Sequence, residues 1–170
     1  DGERLQELAA DLVAAPTVEQ LAGDSPGLRL VWNAVAPGGP EPLRVEVLVR
    51  FDPQNSSLSR WELSVTKPRH VQLEQVRFPR VASLRPRPDE VLAVPRQLGV
   101  LARNPRALVQ GKDGKGARLN WRSPHGTDLS LPCLAFYQQD GPGFYAACDD
   151  SQGYLKDFAV WGNGKDQLHF

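Results

Sequence analysis

Apolar and polar residues alternate along much of this chain, and a period of two predicts strands with one buried face. The clearest case is Leu43–Phe51, where Leu43, Val45, Val47, Val49 and Phe51 share one parity while Arg44, Glu46 and Arg50 take the other. Leu28, Leu30 and Trp32 set the same rhythm before it, and Trp61, Leu63 and Val65 within Ser57–Thr66 repeat it afterwards. The Pro-Gly-Gly-Pro run at Pro37–Pro40 and the Asp52-Pro53-Gln54-Asn55 turn separate these strands. Connections this short predict an antiparallel meander, because parallel pairing needs a crossover of about a dozen residues or more. In His70–Phe78 the apolar phase slips between Leu73 and Val76, which predicts a strand with a bulge near Glu74-Gln75.

Two halves of a hairpin follow nearer the C-terminus. Pro132–Gln138 and Gly143–Asp149 are apolar on both parities and flank Asp140-Gly141, a turn-forming pair. Strands apolar on both faces belong inside a layered structure. Symmetric closure about Asp140-Gly141 places Cys133 opposite Cys148, and a four-residue loop over Gln139–Pro142 makes them a non-hydrogen-bonded pair within disulfide reach. A cross-strand disulfide and two buried free thiols are both open readings. The bridged form implies an extracellular or periplasmic setting. Two cysteines on neighbouring strands leave a zinc ion short of ligands, so no metal is expected.

One stretch breaks the strand rhythm. In Glu3–Ala15, Leu5, Leu8, Ala9, Leu12 and Val13 recur at helical spacing, which predicts an amphipathic helix. Pro16 ends it, and Thr17 with Gln20 is placed to cap a second short turn through Leu21. The expected organisation is a helical segment over residues 1–22 and a mainly β, antiparallel β-sandwich domain over 23–170.

Composition supports the β reading and narrows the partners. Fifteen glycines and fifteen prolines punctuate short runs rich in Val and Leu. Lys+Arg and Asp+Glu balance at 20 each, which gives no basic excess for a nucleic acid or an anionic membrane. No apolar run approaches the length needed to cross a bilayer, and no charged-then-apolar leader opens the sequence. The absence of methionine and a final strand without a closing turn at Gln167–Phe170 carry the expectation that more protein follows.

Candidate chemistry is sparse. Pro79–Pro95 is proline-rich, with Arg77 beside it and Arg80, Arg85 and Arg87 within it; a basic binding patch is one reading, but Asp89 and Glu90 dilute the charge and the alternating prolines favour an extended solvated loop. Gly111–Gly116 has the glycine spacing of a phosphate loop, but Ala117 and Arg118 stand where Lys and Ser/Thr are needed, so it reads as a turn and no cofactor is expected. Trp121 and His125 share a Pro/Gly loop, as in carbohydrate binders that lay an aromatic face on a sugar ring; a core cap is the alternative for Trp121. Asp140, Asp149, Asp150 and Asp157 are spread over turns and strand ends with no spacing that converges a glycosidase pair. An acid-base enzyme acting on an anomeric centre would have to draw on His70, His125 or His169.

The segments Trp61–Val65, Val76–Pro79, Leu131–Tyr137, Gly143–Asp150 and Gly153–Lys156 together resemble an N-terminal β-supersandwich domain, galactose-mutarotase-like in architecture. Such a domain precedes a (β/α)8 barrel in a group of glycoside-hydrolase-like proteins. The chain departs from that group at Cys148-Asp149-Asp150, where a histidine and then a proline often occur. The resemblance implies that catalysis belongs to the barrel, that this domain is its non-catalytic partner, and that carbohydrate is the substrate class. It places Asp149 and Asp150, with the loop residues Trp121 and His125, as the residues able to reach a substrate rim. A stand-alone carbohydrate-binding module and a small mutarotase or epimerase are the other two expectations.

Overall fold

The computed structural model describes residues 7–9, 14–35, 41–110, 116–123, 128–162 and 167–170. Its regular structure is almost entirely antiparallel strand, and it divides into two compact units, Asp1–Pro79 and Arg80–Phe170. Most of the helix expected over Glu3–Ala15 lies outside the described residues, and 7–9 and 14–16 within them carry no regular structure.

The first unit is the predicted meander with one strand added. β1 (Thr17–Leu21), β2 (Gly27–Val35), β3 (Pro42–Phe51) and β4 (Ser59–Thr66) lie side by side in chain order. The register sets Leu28, Leu30 and Trp32 opposite Val49, Val47 and Val45, and these in turn opposite Trp61, Leu63 and Val65. Alternation therefore collects the apolar residues on one face. On the other face Arg29 donates to Glu46 at 2.9 and 3.1 Å, and Arg44 does so at 2.9 Å. These two guanidinium groups, Arg29 first, hold the Glu46 carboxyl below the usual carboxylate range. The β3–β4 turn forms where Asp52 was expected to begin it. Its Oδ1 accepts the N–H groups of Gln54 at 2.8 Å and Asn55 at 3.0 Å.

Two expectations in this unit are corrected. Thr17–Leu21 is a strand paired with β2 from Thr17↔Val31 to Leu21↔Gly27, where a capped helical turn was expected. Pairing gives those five residues cross-strand hydrogen bonds that a lone helical turn cannot match. Residues 71–78 pair with no strand, so the expected bulge does not exist. The segment is held through side chains instead, with the Phe78 ring 6.0 Å from that of Trp61.

The second unit holds two sheets. One runs β6-β5-β8-β9, built from β5 (Glu90–Val94), β6 (Val100–Arg103), β8 (Cys133–Gln138) and β9 (Gly143–Ala147). The other runs β11-β10-β7, with β7 (Ala117–Ser123), β10 (Lys156–Gly162) and β11 (Leu168–His169). Both feed one core. Leu92, Val94, Leu134 and Phe136 come from the first sheet and Val160 and Leu168 from the second, with Val109, Leu129 and Phe170 from connecting segments. Phe170 anchors the centre, its ring 5.1 Å from Phe136 and 4.9 Å edge-on from Phe144. The stretch read as a solvated loop over Pro79–Pro95 is therefore only partly so. Val81 and Leu84 exchange backbone hydrogen bonds with Phe170 and Leu168, and Glu90–Val94 is the buried strand β5.

The β8–β9 hairpin exists as predicted, but its register is one residue away. Cys133 faces Ala147 and Tyr137 faces Gly143. A turn closes from Gln138 to Gly141, whose N–H donates to the Gln138 carbonyl at 3.3 Å, while Gln138 N–H donates to the Pro142 carbonyl at 3.1 Å. Asp140-Gly141 thus fills the third and fourth places of a turn in which glycine favours the fourth. Gly143 fixes the register, because a Cβ there would lie 2.3 Å from the Tyr137 Cβ. Since side chains alternate, a one-residue shift puts Cys133 and Cys148 on opposite faces, and both are free thiols. The expected pairing for a disulfide is thereby corrected. The strands are also not buried on both faces. Tyr145 is 65% exposed on β9, the edge strand of its sheet.

Candidate functional site

The residues singled out from sequence divide between core and turn. Trp121 lies within β7, opposite Phe158, and packs on the core cluster, which corrects its expected loop position. His125 lies outside the described residues. Lys156, the first residue of β10, pairs with Ser123, the last of β7, so the turn after β9 reaches the same sheet end as Trp121. That turn is organised by Asp150. Its carboxylate accepts the N–H groups of Gln152 and Tyr154, each at 2.8 Å, and pairs with the Lys156 ammonium. Asp149 beside it is exposed. His70, the remaining candidate acid-base residue of the first unit, is exposed.

The electrostatics follow from these contacts. Lys156 first, then the Gln152 N–H, holds the Asp150 carboxyl below its ordinary range. Burial pushes the neighbouring Cys148 thiol up, against the nearby Lys156 charge. A carboxyl with a depressed pKa contributes stability that is fully present above the unfolded value, about pH 4, and is lost as pH falls through the folded value. Asp150→Asn is accordingly expected to melt below the unaltered chain at pH 7. The two melting curves should converge as the pH is taken below about 4. A difference in melting temperature that stays constant from pH 7 to pH 2 would contradict the assigned role.

A second constellation was not visible in the sequence. Arg106 follows β6 in the short helix α1 (Pro105–Leu108), and its Nε and Nη2 donate to the two Glu90 carboxylate oxygens at 2.7 and 2.9 Å. The side chains are only 7% and 5% exposed. Nη2 also donates to the Leu84 carbonyl at 3.0 Å, and Glu90 Oε1 accepts the Arg87 N–H at 2.9 Å. Asn104, in the left-handed region at φ 59°, turns the chain so that α1 folds back towards β5. Around this pair opens a cleft of about 320 Å³, which Arg87, Asp89, Arg103, Asn104 and Gln139 also line. Among the described residues, Arg106 Nη1 is the buried side-chain polar atom without a hydrogen-bond partner.

A third cluster lies on β10 and its neighbours. The Trp161 ring stacks on His169 at 5.4 Å, with the Arg118 and Arg80 guanidinium carbons 5.2 and 5.6 Å from its centroid. His169 Nδ1 accepts the Ser83 N–H at 3.1 Å, and burial, followed by the Arg80 charge, lowers the imidazole pKa. Both effects favour the Nδ1 lone pair that accepts the Ser83 N–H. Among the described residues no group of three His, Cys, Asp or Glu side chains is placed to hold a metal ion.

No known family model matches the chain, and neither a curated protein nor a solved structure matches it.

Proposed function

We propose that this chain is a non-catalytic β-sandwich domain of a larger carbohydrate-active enzyme, packed on a catalytic barrel and contributing to its rim. The sandwich reading is supported by the two antiparallel sheets of the second unit, which send Leu92, Leu134 and Phe136 from one side and Val160 and Leu168 from the other into a shared core. The carbohydrate reading rests on the sequence resemblance. The observation that carries the non-catalytic part is the state of Asp150, the carboxylate that organises the turn after β9. Asp150 is bound by a lysine and two backbone N–H groups, which hold its carboxyl below the ordinary range. An acid held ionised in this way is a poor proton donor at neutral pH, and glycosidase chemistry needs one carboxyl kept protonated.

Trp121 does not favour the stand-alone binding module, because its half-buried ring packs against the core of the second unit. The chain alone should release no sugar from oligosaccharides of several linkages and should leave the rate of glucose and galactose anomer interconversion unchanged, as followed by proton NMR. Acceleration of interconversion that is lost in His70→Ala or His125→Ala would replace this reading with the mutarotase one.

A further inference from the structure

The cleft beside Glu90 and Arg106 carries an uneven set of charges. Three guanidinium groups line it, from Arg87, Arg103 and Arg106, against two carboxylates, from Asp89 and Glu90. One positive charge is left without a counter-charge in the lining. Glu90 is already saturated, with both oxygens engaged by Arg106 and one also accepting a backbone N–H. Arg106 Nη1 also lacks a partner among the described residues, but it is itself buried, so the exposed Arg87 and Arg103 are the guanidinium groups open to a ligand. Arg103 lines the cleft with an exposed side chain, and it takes part in none of the ion pairs among the described residues.

We propose that this cleft binds a singly charged carboxylate carrying neighbouring hydroxyl groups. Guanidinium groups present paired N–H donors that match a carboxylate in planar geometry. Asp89 and Glu90 in the same lining disfavour a doubly charged phosphate, whose repulsion from them would exceed that of a monoanion. Asn104 and Gln139 offer amide groups, and Asp89 a carboxylate, for the hydroxyls of such a ligand. The volume lies at the lower end of small-molecule sites, roughly 300–1,000 Å³, and suits a ligand of about one sugar ring. Assigning the ligand as a sugar acid, such as a uronic acid residue of a saccharide, rests on the function proposed above. The anion site itself rests on the cleft alone.

Glucuronate, lactate, glucose and inorganic phosphate, each titrated into the full chain and followed by amide NMR shifts, provide the test. Glucuronate is expected to shift the amides of Arg87, Arg103, Asn104 and Gln139, while glucose at equal concentration leaves them in place. Arg103→Ala should weaken glucuronate binding by about tenfold or more, the effect of one charge-assisted contact. The Arg103 side chain is exposed, so this variant leaves the buried ion pair and the core intact. No shift with either carboxylate, binding unchanged in Arg103→Ala, or tighter binding of phosphate would overturn the site. Lactate binding without glucuronate binding would overturn the sugar-acid assignment, and with it a support for the carbohydrate reading, while the carboxylate site stands.

Discussion

Replacing Glu90 by glutamine should destabilise the second unit by roughly 3–5 kcal/mol, the cost of leaving one member of a buried ion pair without its counter-charge. Arg106 makes two hydrogen bonds to this carboxylate, at 2.7 and 2.9 Å, from a side chain 7% exposed. Glutamine retains the shape and one acceptor oxygen but not the charge, so the guanidinium stays buried and uncompensated. Arg106→Met leaves the opposite charge stranded and should cost a similar amount. The double variant Glu90→Leu/Arg106→Met removes both charges and should recover most of the loss, because well-packed apolar replacements of buried pairs are often near neutral. Urea unfolding of the three variants checks this. Single variants within about 0.5 kcal/mol of the unaltered chain, the range of ordinary surface changes, would show that the pair is not a strut.

The second large effect is expected at Phe136. It is 8% exposed and lies between two rings, 5.1 Å from Phe170 and 5.9 Å from Phe144. Phe136→Ala should cost about 3–5 kcal/mol, combining lost transfer free energy with a cavity at the meeting point of both sheets. Phe136→Leu keeps most of the volume and should cost roughly half of that or less. Thermal unfolding followed by near-ultraviolet circular dichroism reads both the stability and the loss of aromatic packing. Equal, small effects in the two variants would contradict a core centred on this aromatic trio.

Legibility of the sequence tracks the range over which each interaction acts. The β2–β3–β4 meander is readable because alternation alone sets which face is buried, and Leu43–Phe51 alternates with Leu48 as its one exception. The β8–β9 hairpin was readable as an element but not in register. The position of Asp140-Gly141 within the turn depends on the close approach of Gly143 to Tyr137, which periodicity does not encode. One residue of register then decided the fate of Cys133 and Cys148. At Thr17–Leu21 a local capping signal competed with cross-strand pairing, and the pairing prevailed. Pro124 and Gly126 follow Trp121 closely and give it the local signature of a loop residue, yet the strand runs on to Ser123.

The Glu90–Arg106 pair left almost no trace in the sequence. Its members are 16 residues apart and meet only because β5 and β6 pair and Asn104 turns the chain back. Charges in a proline-rich stretch usually remain solvated, so the composition around Glu90 pointed away from burial. The same holds for Trp161, whose neighbours Arg118 and His169 come from β7 and β11 on either side.

The proposed role, in which this chain is one domain of a longer polypeptide, is tested most directly by glycoside hydrolysis by such a polypeptide, compared with the same polypeptide lacking residues 1–170 and with this chain alone. The account predicts that the complete polypeptide releases reducing sugar from a polysaccharide or oligosaccharide substrate, that the chain alone releases none, and that Asp149→Asn in the complete polypeptide lowers turnover without abolishing it. Sugar release by the chain alone, or a complete polypeptide with no activity on any glycoside, would contradict it.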